Sequence, residues 1–299
     1  DPEVPKQVFH QAKEALHAIP GATKVDIDFD VKDPGQTGAG GAIQAGLPGV
    51  KNIIAVASGK GGVGKSTVSV NLAVALQKQG YKVGLCDCDL YGPSVAHMFG
   101  SNARPNATED NEIIPIESDG LKLISMGFLL EDRSPVIVRG PLATRYTQQF
   151  LKQVTWGELD YLILDLPPGT GDIQLTIVQT VALTGAIIVT TPQEVALIDA
   201  RKAVSMFEKV NVSVMGFVEN MSYFLSPSDG VKYHIFGEGG GAREAAALGV
   251  PLLGQIPIDL ATREGGDVGR PVALADPAIS EASRIFADIA KSVVGYAPA

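Results

Sequence analysis

Ten consecutive residues combine the side chains and the backbone freedom that phosphate binding requires. An apolar run at residues 53–57 precedes them, and a helical pattern from about residue 67 to 79 follows. Glycines let backbone N–H groups turn inward, and the helix directs its positive end at the same point. This strand, loop and helix predict a nucleotide phosphate loop. Its residues are Ser58, Gly59, Lys60, Gly61, Gly62, Val63, Gly64, Lys65, Ser66 and Thr67. We expect Lys65 to reach the β- and γ-phosphates, Ser66 to hold Mg²⁺ and Thr67 to contact the α-phosphate.

A second lysine, Lys60, lies inside this loop. The pattern Lys-Gly-Gly-x-Gly-Lys-[Ser/Thr] resembles the deviant Walker A group, the class of MinD, ParA and the nitrogenase iron protein. The resemblance implies that Lys60 reaches across a homodimer to the partner's phosphates and stabilises the transferring phosphoryl group. A solvated surface lysine is the alternative.

Two carboxylates follow the second predicted strand. In an extended segment Asp87 and Asp89 share one face, and Cys86 and Cys88 share the other. Carboxylates beside a phosphate loop suit Mg²⁺ coordination and the positioning of the attacking water. We assign Asp89 to the water and Asp87 to the metal. For the cysteines, packing in the core is favoured over metal binding.

A third carboxylate, Asp165, ends the apolar run 162–164 and is typical of a Walker B aspartate that holds Mg²⁺ through water. The segment 165–172 resembles a nucleotide switch, in which the Gly169 N–H senses the γ-phosphate. We expect Asp172 to bond the phosphate loop or to cross the dimer interface. A plain turn is the alternative. The expected switch residues are Pro167, Gly169, Thr170 and Asp172.

Later strand ends supply the expected base site. In the deviant Walker A class, the Asn after the sixth strand and the loop after the last strand hold adenine. The resemblance places Asn220, Pro257 and Asp259 there, and an amide offers the donor and the acceptor that a base edge requires. A structural turn is the alternative for Asn220. Arg139, ahead of a helical stretch, is either a basic contact or part of a helix start.

Composition indicates a globular chain with a sizeable core: 299 residues, 45% of them hydrophobic, with a net charge of −9. The acidic balance counts against nucleic-acid and membrane partners, and no apolar run approaches a membrane span. With only two cysteines, the expected location is intracellular. We expect the cytoplasm, or alternatively a plastid stroma or mitochondrial matrix, since the chain starts at Asp1 rather than Met.

The order of elements predicts an α/β fold, with a mostly parallel, doubly wound sheet and helices on both faces. The expected strands are 53–57, 82–87, 121–126, 161–165, 186–190, 213–219 and 252–256. Residues 1–31 read as the end of a small α+β domain, 32–50 as a flexible glycine-rich linker, and 51–299 as the ATPase domain.

The ordered set GKGGVGKST, DCDLYGPS, LDLPPGTGD, TTPQEVALIDARKA, VENMSYF and IFGEGGG resembles the Mrp family of phosphate-loop ATPases over about residues 50–296. This resemblance implies an ATP- and Mg²⁺-dependent homodimer that carries an iron–sulfur cluster, for which [4Fe–4S] is one candidate type. The implied partners are recipient apoproteins and cluster-assembly proteins.

One departure concerns the cluster itself. Many members carry Cys-Pro-x-Cys after N-M-S-Y-F, whereas Ser226 and Asp229 stand at the two cysteine positions here. Their hard oxygen atoms are poor substitutes for thiolate. A plastid branch, the high-chlorophyll-fluorescence type, is similar in lacking the pair and in keeping Asp-Gly-x-x-Tyr-x-x-Phe-Gly. Ligands would then come from Cys86 or Cys88, from a preceding N-terminal portion, or from a partner.

Two functions are therefore carried forward. The first is an ATP-dependent iron–sulfur carrier or assembly factor. The second is a switch ATPase that uses nucleotide-gated dimerisation to act on a protein partner without a cluster, as MinD and ParA do; the missing cysteine pair favours it. The C-terminal helix pattern, 280–294, balances acidic and basic residues and so counts against a MinD-like membrane helix.

Overall fold

The computed structural model describes residues 46–125, 128, 147–148 and 150–299. The strands of this part are β1 (Val50–Ala57), β2 (Val83–Asp87), β3 (Asn106–Ala107), β4 (Ile113–Ile114), β5 (Ile116–Ser118), β6 (Leu121–Ser125), β7 (Leu159–Asp165), β8 (Gly185–Thr190), β9 (Val214–Glu219), β10 (Phe224–Leu225), β11 (Lys232–Tyr233) and β12 (Leu252–Gln255). The predicted domain over 1–31, most of the predicted linker, and Arg139 lie outside the described residues.

Helices connect these strands. They are α1 (Lys65–Lys78), α2 (Val95–Met98), α3 (Asp172–Thr180), α4 (Glu194–Lys209), α5 (Gly240–Ala247), α6 (Leu260–Val268) and α7 (Glu281–Tyr296), with a 3₁₀ turn at Val272–Leu274. The first begins at Lys65, two residues before the predicted start, because the left-handed Gly64 (φ 83°) ends the loop there.

Eight strands form one sheet in the order β12-β9-β8-β1-β7-β2-β6-β5. Neighbouring strands are parallel except β5 and β6, which are antiparallel. Strands β2 and β8 are buried along their whole length, as expected where helices cover both faces. The predicted fold class and all seven predicted strands are confirmed, with shifts of a few residues at the ends.

Each face of the sheet has its own core. Ile54 and Leu85 pack with Phe286 of α7 on one face, whereas Ile53 and Cys86 pack with Phe207 of α4 on the other. Successive residues of one strand therefore point to opposite helix layers. The burial of these two apolar cores is the main stabilising contribution to the fold.

The strand order brings the candidate site together. Asp165 at the end of β7 is in register with Val56 of β1 on one side and with Asp87 of β2 on the other. Parallel strands end at one edge, so the loops after β1, β2 and β7 converge there. The phosphate loop, the Asp87–Asp89 segment and the switch segment (165–172) follow these three strands.

Two short hairpins lie outside the large sheet, β3 with β4 and β10 with β11. Their strands are two residues long, too short to show an alternating pattern, and the sequence did not predict them. In the described part of the chain, none of the helices combines the length and the apolar character needed to cross a bilayer.

The first glycine of the phosphate loop is fixed by packing. A Cβ on Gly59 would lie 2.1 Å from the backbone carbon of Asp199 in α4, whereas a Cβ on Gly61 would meet nothing within 4 Å. We expect Gly59→Ala to lower the free energy of unfolding by about 1–3 kcal/mol, because α4 or the loop must shift.

Gly61→Ala is the matched control and should change the free energy of unfolding by less than about 0.5 kcal/mol. Urea unfolding of the two variants measures the difference. Equal changes in the free energy of unfolding for Gly59→Ala and Gly61→Ala would show that close packing of Gly59 against α4 does not limit the side chain at position 59.

Candidate nucleotide-binding site

The phosphate loop encloses a cavity of about 360 Å³ between β1 and α1. Gly62 and Gly64 hold the left-handed conformation (φ 81° and 83°), which turns successive N–H groups inward. Every predicted loop residue from Lys60 to Thr67 lines this cavity, and Asp89, Ser94, Met98 and Pro168 close it from the neighbouring loops. The arrangement fits a chain of phosphates at a helix N-terminus.

Lys65 does not point into open solvent but forms a buried ion pair with Asp165, Nζ to Oδ1 2.7 Å. Two hydroxyls complete the carboxylate's shell: Ser66 donates to Oδ2 and Ser69 to Oδ1, each at 2.6 Å. With zero exposure, Asp165 would be strongly destabilised without these partners. The motif did not indicate Ser69, although its i+3 spacing from Ser66 places both on one helix face.

This donor set fits a magnesium ion. Ser66 and Asp165 supply the hard oxygen atoms that Mg²⁺ prefers. Ser66 lines the cavity in which phosphates would supply more, and Asp165 lies directly behind it. Among the described residues no group of three or more His, Cys, Asp or Glu forms a complete metal site. An ion here would therefore depend on nucleotide oxygens and water.

Asp87 has a different environment from the one predicted. Its carboxylate is fully buried and accepts hydrogen bonds from the backbone N–H groups of Asp89, Ser94 and Val95 and from the Ser125 hydroxyl. Burial, and then the negative charge of Asp165, raise its pKa to about 7. Three of these bonds are on Oδ2 and one is on Oδ1, so Asp87 holds the segment 87–95 in place mainly through Oδ2. Its role beside the metal stays a prediction.

Asp89 is half-buried and faces the phosphate cavity. Its Oδ1 accepts from the backbone N–H groups of Tyr91 and Gly92, both at 3.2 Å. These two bonds fix the carboxylate at the cavity mouth. The position suits the predicted orientation of a water molecule.

Lys60 also lines the cavity and is half-buried. Its carbonyl oxygen accepts from the Ser58 hydroxyl at 2.9 Å, which orients the backbone at this point. Within the described part of the chain, the Lys60 ammonium takes part in no recorded ion pair or side-chain hydrogen bond. Its charge is therefore available to a ligand or to a second subunit.

The switch segment differs in one contact from the prediction. The Gly169 N–H donates to the Ser58 carbonyl at 2.9 Å, so it does not face the phosphate cavity here. Contact with a γ-phosphate would require that bond to break. Pro167 is buried, whereas Thr170 and Asp172 are exposed. Among described residues Asp172 has no bond to the phosphate loop, so a contact across the dimer interface stays the prediction for this side chain.

The three residues assigned to the base lie in one pocket of about 550 Å³, beside Gly64 and Thr67. Asn220 donates its amide to the Val63 carbonyl at 2.9 Å, and Asp259 caps α6 by accepting from the Thr262 N–H. Pro257 completes the set. Sequence reasoning missed His97, Met98, Met221, Phe236 and Arg263, which line the same pocket and belong to no nucleotide motif.

Cys86 belongs to β2 and Cys88 directly follows this strand, and both side chains lie in the core. Their Sγ atoms are 3.6 Å apart, and both side chains have zero exposure. Burial, and next the hydrogen bond between the two thiols, raise the pKa of the Cys86 thiol well above its usual value. A cluster ligand must be a thiolate, so this environment favours the predicted packing role.

Ser226 and Asp229, which stand where many family members carry cysteine, lie at the tip of the β10–β11 hairpin. Ser226 is nearly buried and lies 2.9 Å from the Ser228 hydroxyl. Asp229 accepts from the Val231 N–H and the Tyr233 hydroxyl, and these bonds, with one from Ser226, lower its pKa. Both residues thus stabilise the turn itself.

Comparison of this sequence with known proteins shows which family the chain belongs to. The sequence model described as "ParA: NUBPL iron-transfer P-loop NTPase" matches residues 49–294. An "Iron-sulfur cluster carrier protein" of Deinococcus radiodurans is 49% identical over 290 residues, which are 97% of this chain and 80% of that protein.

Solved structures agree with the fold. A nucleotide-binding protein of Archaeoglobus fulgidus in complex with ADP is 41% identical, with a TM-score of 0.68 over 76% of this chain and 90% of that one. The cell-division ATPase MinD of Pyrococcus furiosus is 25% identical, with a TM-score of 0.62 over 82% and 99%.

The resemblance stated from the sequence motifs is thus confirmed at the level of family and fold. With a complete phosphate loop, a Walker B aspartate and a matched model over most of its length, this chain belongs to the NUBPL-type, ParA-related family of iron-transfer P-loop NTPases.

Proposed function

We propose that this protein is an ATP-binding and ATP-hydrolysing carrier of iron–sulfur clusters that acts as a homodimer. It receives clusters from assembly proteins and delivers them to recipient apoproteins. The observation that carries the proposal is near-half identity, along almost the whole chain, to a protein named as a cluster carrier. The nucleotide cavity, with its loop, lysine pair and Asp165, supports the ATP-dependent part.

Nucleotide binding reorganises the buried ion pair. The loop N–H groups bind the phosphates, while the pocket around Asn220 and Pro257 accepts the base. Lys65 leaves Asp165 and turns to the β- and γ-phosphates. Ser66 and Asp165 would hold Mg²⁺, which supplies positive charge that neutralises Asp165 and the phosphate oxygens. Ser69 keeps its hydrogen bond to Asp165 throughout and so preserves the carboxylate's orientation.

Hydrolysis then requires a positioned water and a second positive charge. Asp89 orients the water, whose oxygen attacks the γ-phosphorus as the bond to the β–γ bridging oxygen breaks, giving ADP and phosphate. Lys60 of the partner subunit stabilises the charge that develops on the transferring group. Phosphate release frees Gly169 to bond Ser58 again, and the switch segment (165–172) loosens the dimer's hold on its cargo.

A nucleotide-gated switch without a cluster is the second candidate. It is favoured by Ser226 and Asp229 at the hairpin tip and by the complete burial of Cys86 and Cys88. In this alternative, ATP closes the dimer on a protein partner, and hydrolysis releases it. The acidic net charge makes nucleic acid and anionic membranes unfavourable partners in both cases.

The proposed location is the cytoplasm, with a plastid stroma or mitochondrial matrix as the alternative. Both cysteines are free thiols although their sulfur atoms are 3.6 Å apart. Reduced thiols are typical of these compartments rather than of secreted proteins.

The two loop lysines should have separable roles. We expect Lys65→Ala to abolish nucleotide binding, and Lys60→Ala to leave binding within about tenfold, or 1.4 kcal/mol, of wild type while removing hydrolysis. Isothermal titration with ADP·Mg²⁺ and phosphate-release assays measure the two effects.

Because Lys65 also neutralises the buried Asp165, Lys65→Ala should lower the unfolding temperature. Circular dichroism at the assay temperature must therefore show that this variant is folded. Equal loss of binding in both variants would contradict a role for Lys60 across the dimer.

The carrier proposal is tested by anaerobic reconstitution, with iron and sulfide quantified after gel filtration. We expect the chain to bind a labile cluster that transfers to a recipient apoprotein. The Cys86→Ser/Cys88→Ser variant should bind and transfer the cluster as the wild-type chain does, because both thiols lie in the core. Ser226→Cys/Asp229→Cys should retain the cluster longer, since thiolate is the better ligand for iron–sulfur centres.

Loss of the cluster in the double serine variant would support the carrier but make Cys86 and Cys88 its ligands. Absence of iron in the wild-type chain, with nucleotide-dependent dimerisation intact, would contradict the carrier and favour the switch.

A further inference from the structure

Gln174 is buried, with 1% of its surface exposed, and in the part of the chain that the structure describes neither its amide nitrogen nor its amide oxygen has a hydrogen-bond partner. More than nine-tenths of buried polar groups in proteins are paired. A group that satisfies neither its donor nor its acceptor lowers the stability of the state in which it is found. The side chain is therefore better suited to a second state, in which the amide has a hydrogen-bond partner.

The place of Gln174 in its helix indicates what that bond is. Helix α3 has Gly171 as its N-cap, so Gln174 occupies the third helical position. Glutamine or glutamate at that position reaches back to the backbone N–H of the N-cap residue in a capping box. No side chain caps α3 in this structure, and among the described residues the Gly171 N–H has no recorded acceptor.

The switch segment connects this helix start to the nucleotide. Pro168 lines the phosphate cavity, and Gln174 lines an adjoining cavity of about 900 Å³ that Pro168 and Asp89 also border. Between them, Gly169 is tied to the Ser58 carbonyl. Release of that one bond lets the segment move, and movement of the segment changes the position of Gly171 relative to Gln174.

We propose that Gln174 is a positioning residue of the nucleotide site. Its amide is unpaired in the state seen here. When ATP draws the Gly169 N–H away from Ser58, Gln174 bonds the Gly171 N–H, closes the cap of α3 and holds the switch segment (165–172) in its ATP-bound position. This inference rests on the nucleotide-dependent part of the proposed function and is independent of any cluster.

The test uses Gln174→Met, which keeps the length and removes the polar atoms, with Gln179→Met on the exposed side of the same helix as its control. Without nucleotide, we expect Gln174→Met to raise the unfolding temperature by about 2–4 °C, because a buried unpaired amide is removed. The control should stay within about 1–2 °C of wild type.

Hydrogen exchange of residues 166–175 gives the second readout. With a non-hydrolysable ATP analogue and Mg²⁺, the wild-type segment should be protected beyond its level with ADP. Gln174→Met should lose most of that extra protection while its ADP affinity stays within about twofold of wild type, or about 0.4 kcal/mol by RT ln 2. A residue with a purely structural role would not change the difference between the two nucleotides.

A fall in the unfolding temperature of nucleotide-free Gln174→Met would overturn the proposal, since it would mean that the amide is already bonded. The proposal would also be overturned if Gln174→Met kept the wild-type protection of residues 166–175 with the ATP analogue. If the wild-type chain binds neither nucleotide, the proposed function fails together with this role. If the wild-type chain binds both nucleotides and Gln174→Met shows the same hydrogen exchange as wild type, only the role of Gln174 fails.

Discussion

The site depends on the buried contact between Lys65 and Asp165. These residues are 100 positions apart and meet only because β1 and β7 are neighbours in the sheet. A carboxylate with no exposure needs a cation and donors, which Lys65, Ser66 and Ser69 provide. The same lysine is the group expected to bind phosphate. The resting protein therefore satisfies its charges internally, and a nucleotide must compete with Asp165 for Lys65.

Much of this site follows from local sequence. Three features have a favoured physical interpretation in a parallel sheet: the glycine spacing from Gly59 to Gly64, the apolar run ending at Asp165, and the strand alternation at Cys86 and Asp87. The fold class and the strands follow from the same alternation of apolar runs and helical patterns. Such features depend on residues within one turn or one strand.

Contacts between distant segments were not predictable in this way. The bond from Ser69 to Asp165 and the burial of the Asp87 carboxylate under Ser125 depend on which strands are neighbours. Spacing along the chain does not contain that information. The Gly169 bond to Ser58 escaped prediction for another reason: the family resemblance assigned this N–H to a γ-phosphate, whereas in this structure it donates to the Ser58 carbonyl. Side chains outside the quoted motifs, such as Arg263 in the pocket assigned to the base, gave no signal at all.

The contact between Asn220 and the phosphate loop constrains how the family can vary. A Cβ on Gly64 would lie 2.1 Å from the Asn220 amide nitrogen, and that nitrogen donates to the Val63 carbonyl. The residue that lines the base pocket is thus also a brace of the loop. A smaller side chain at position 220 would remove the donor to the Val63 carbonyl, and a larger one would press on Gly64. Position 220 therefore has little freedom to change while this loop keeps its shape.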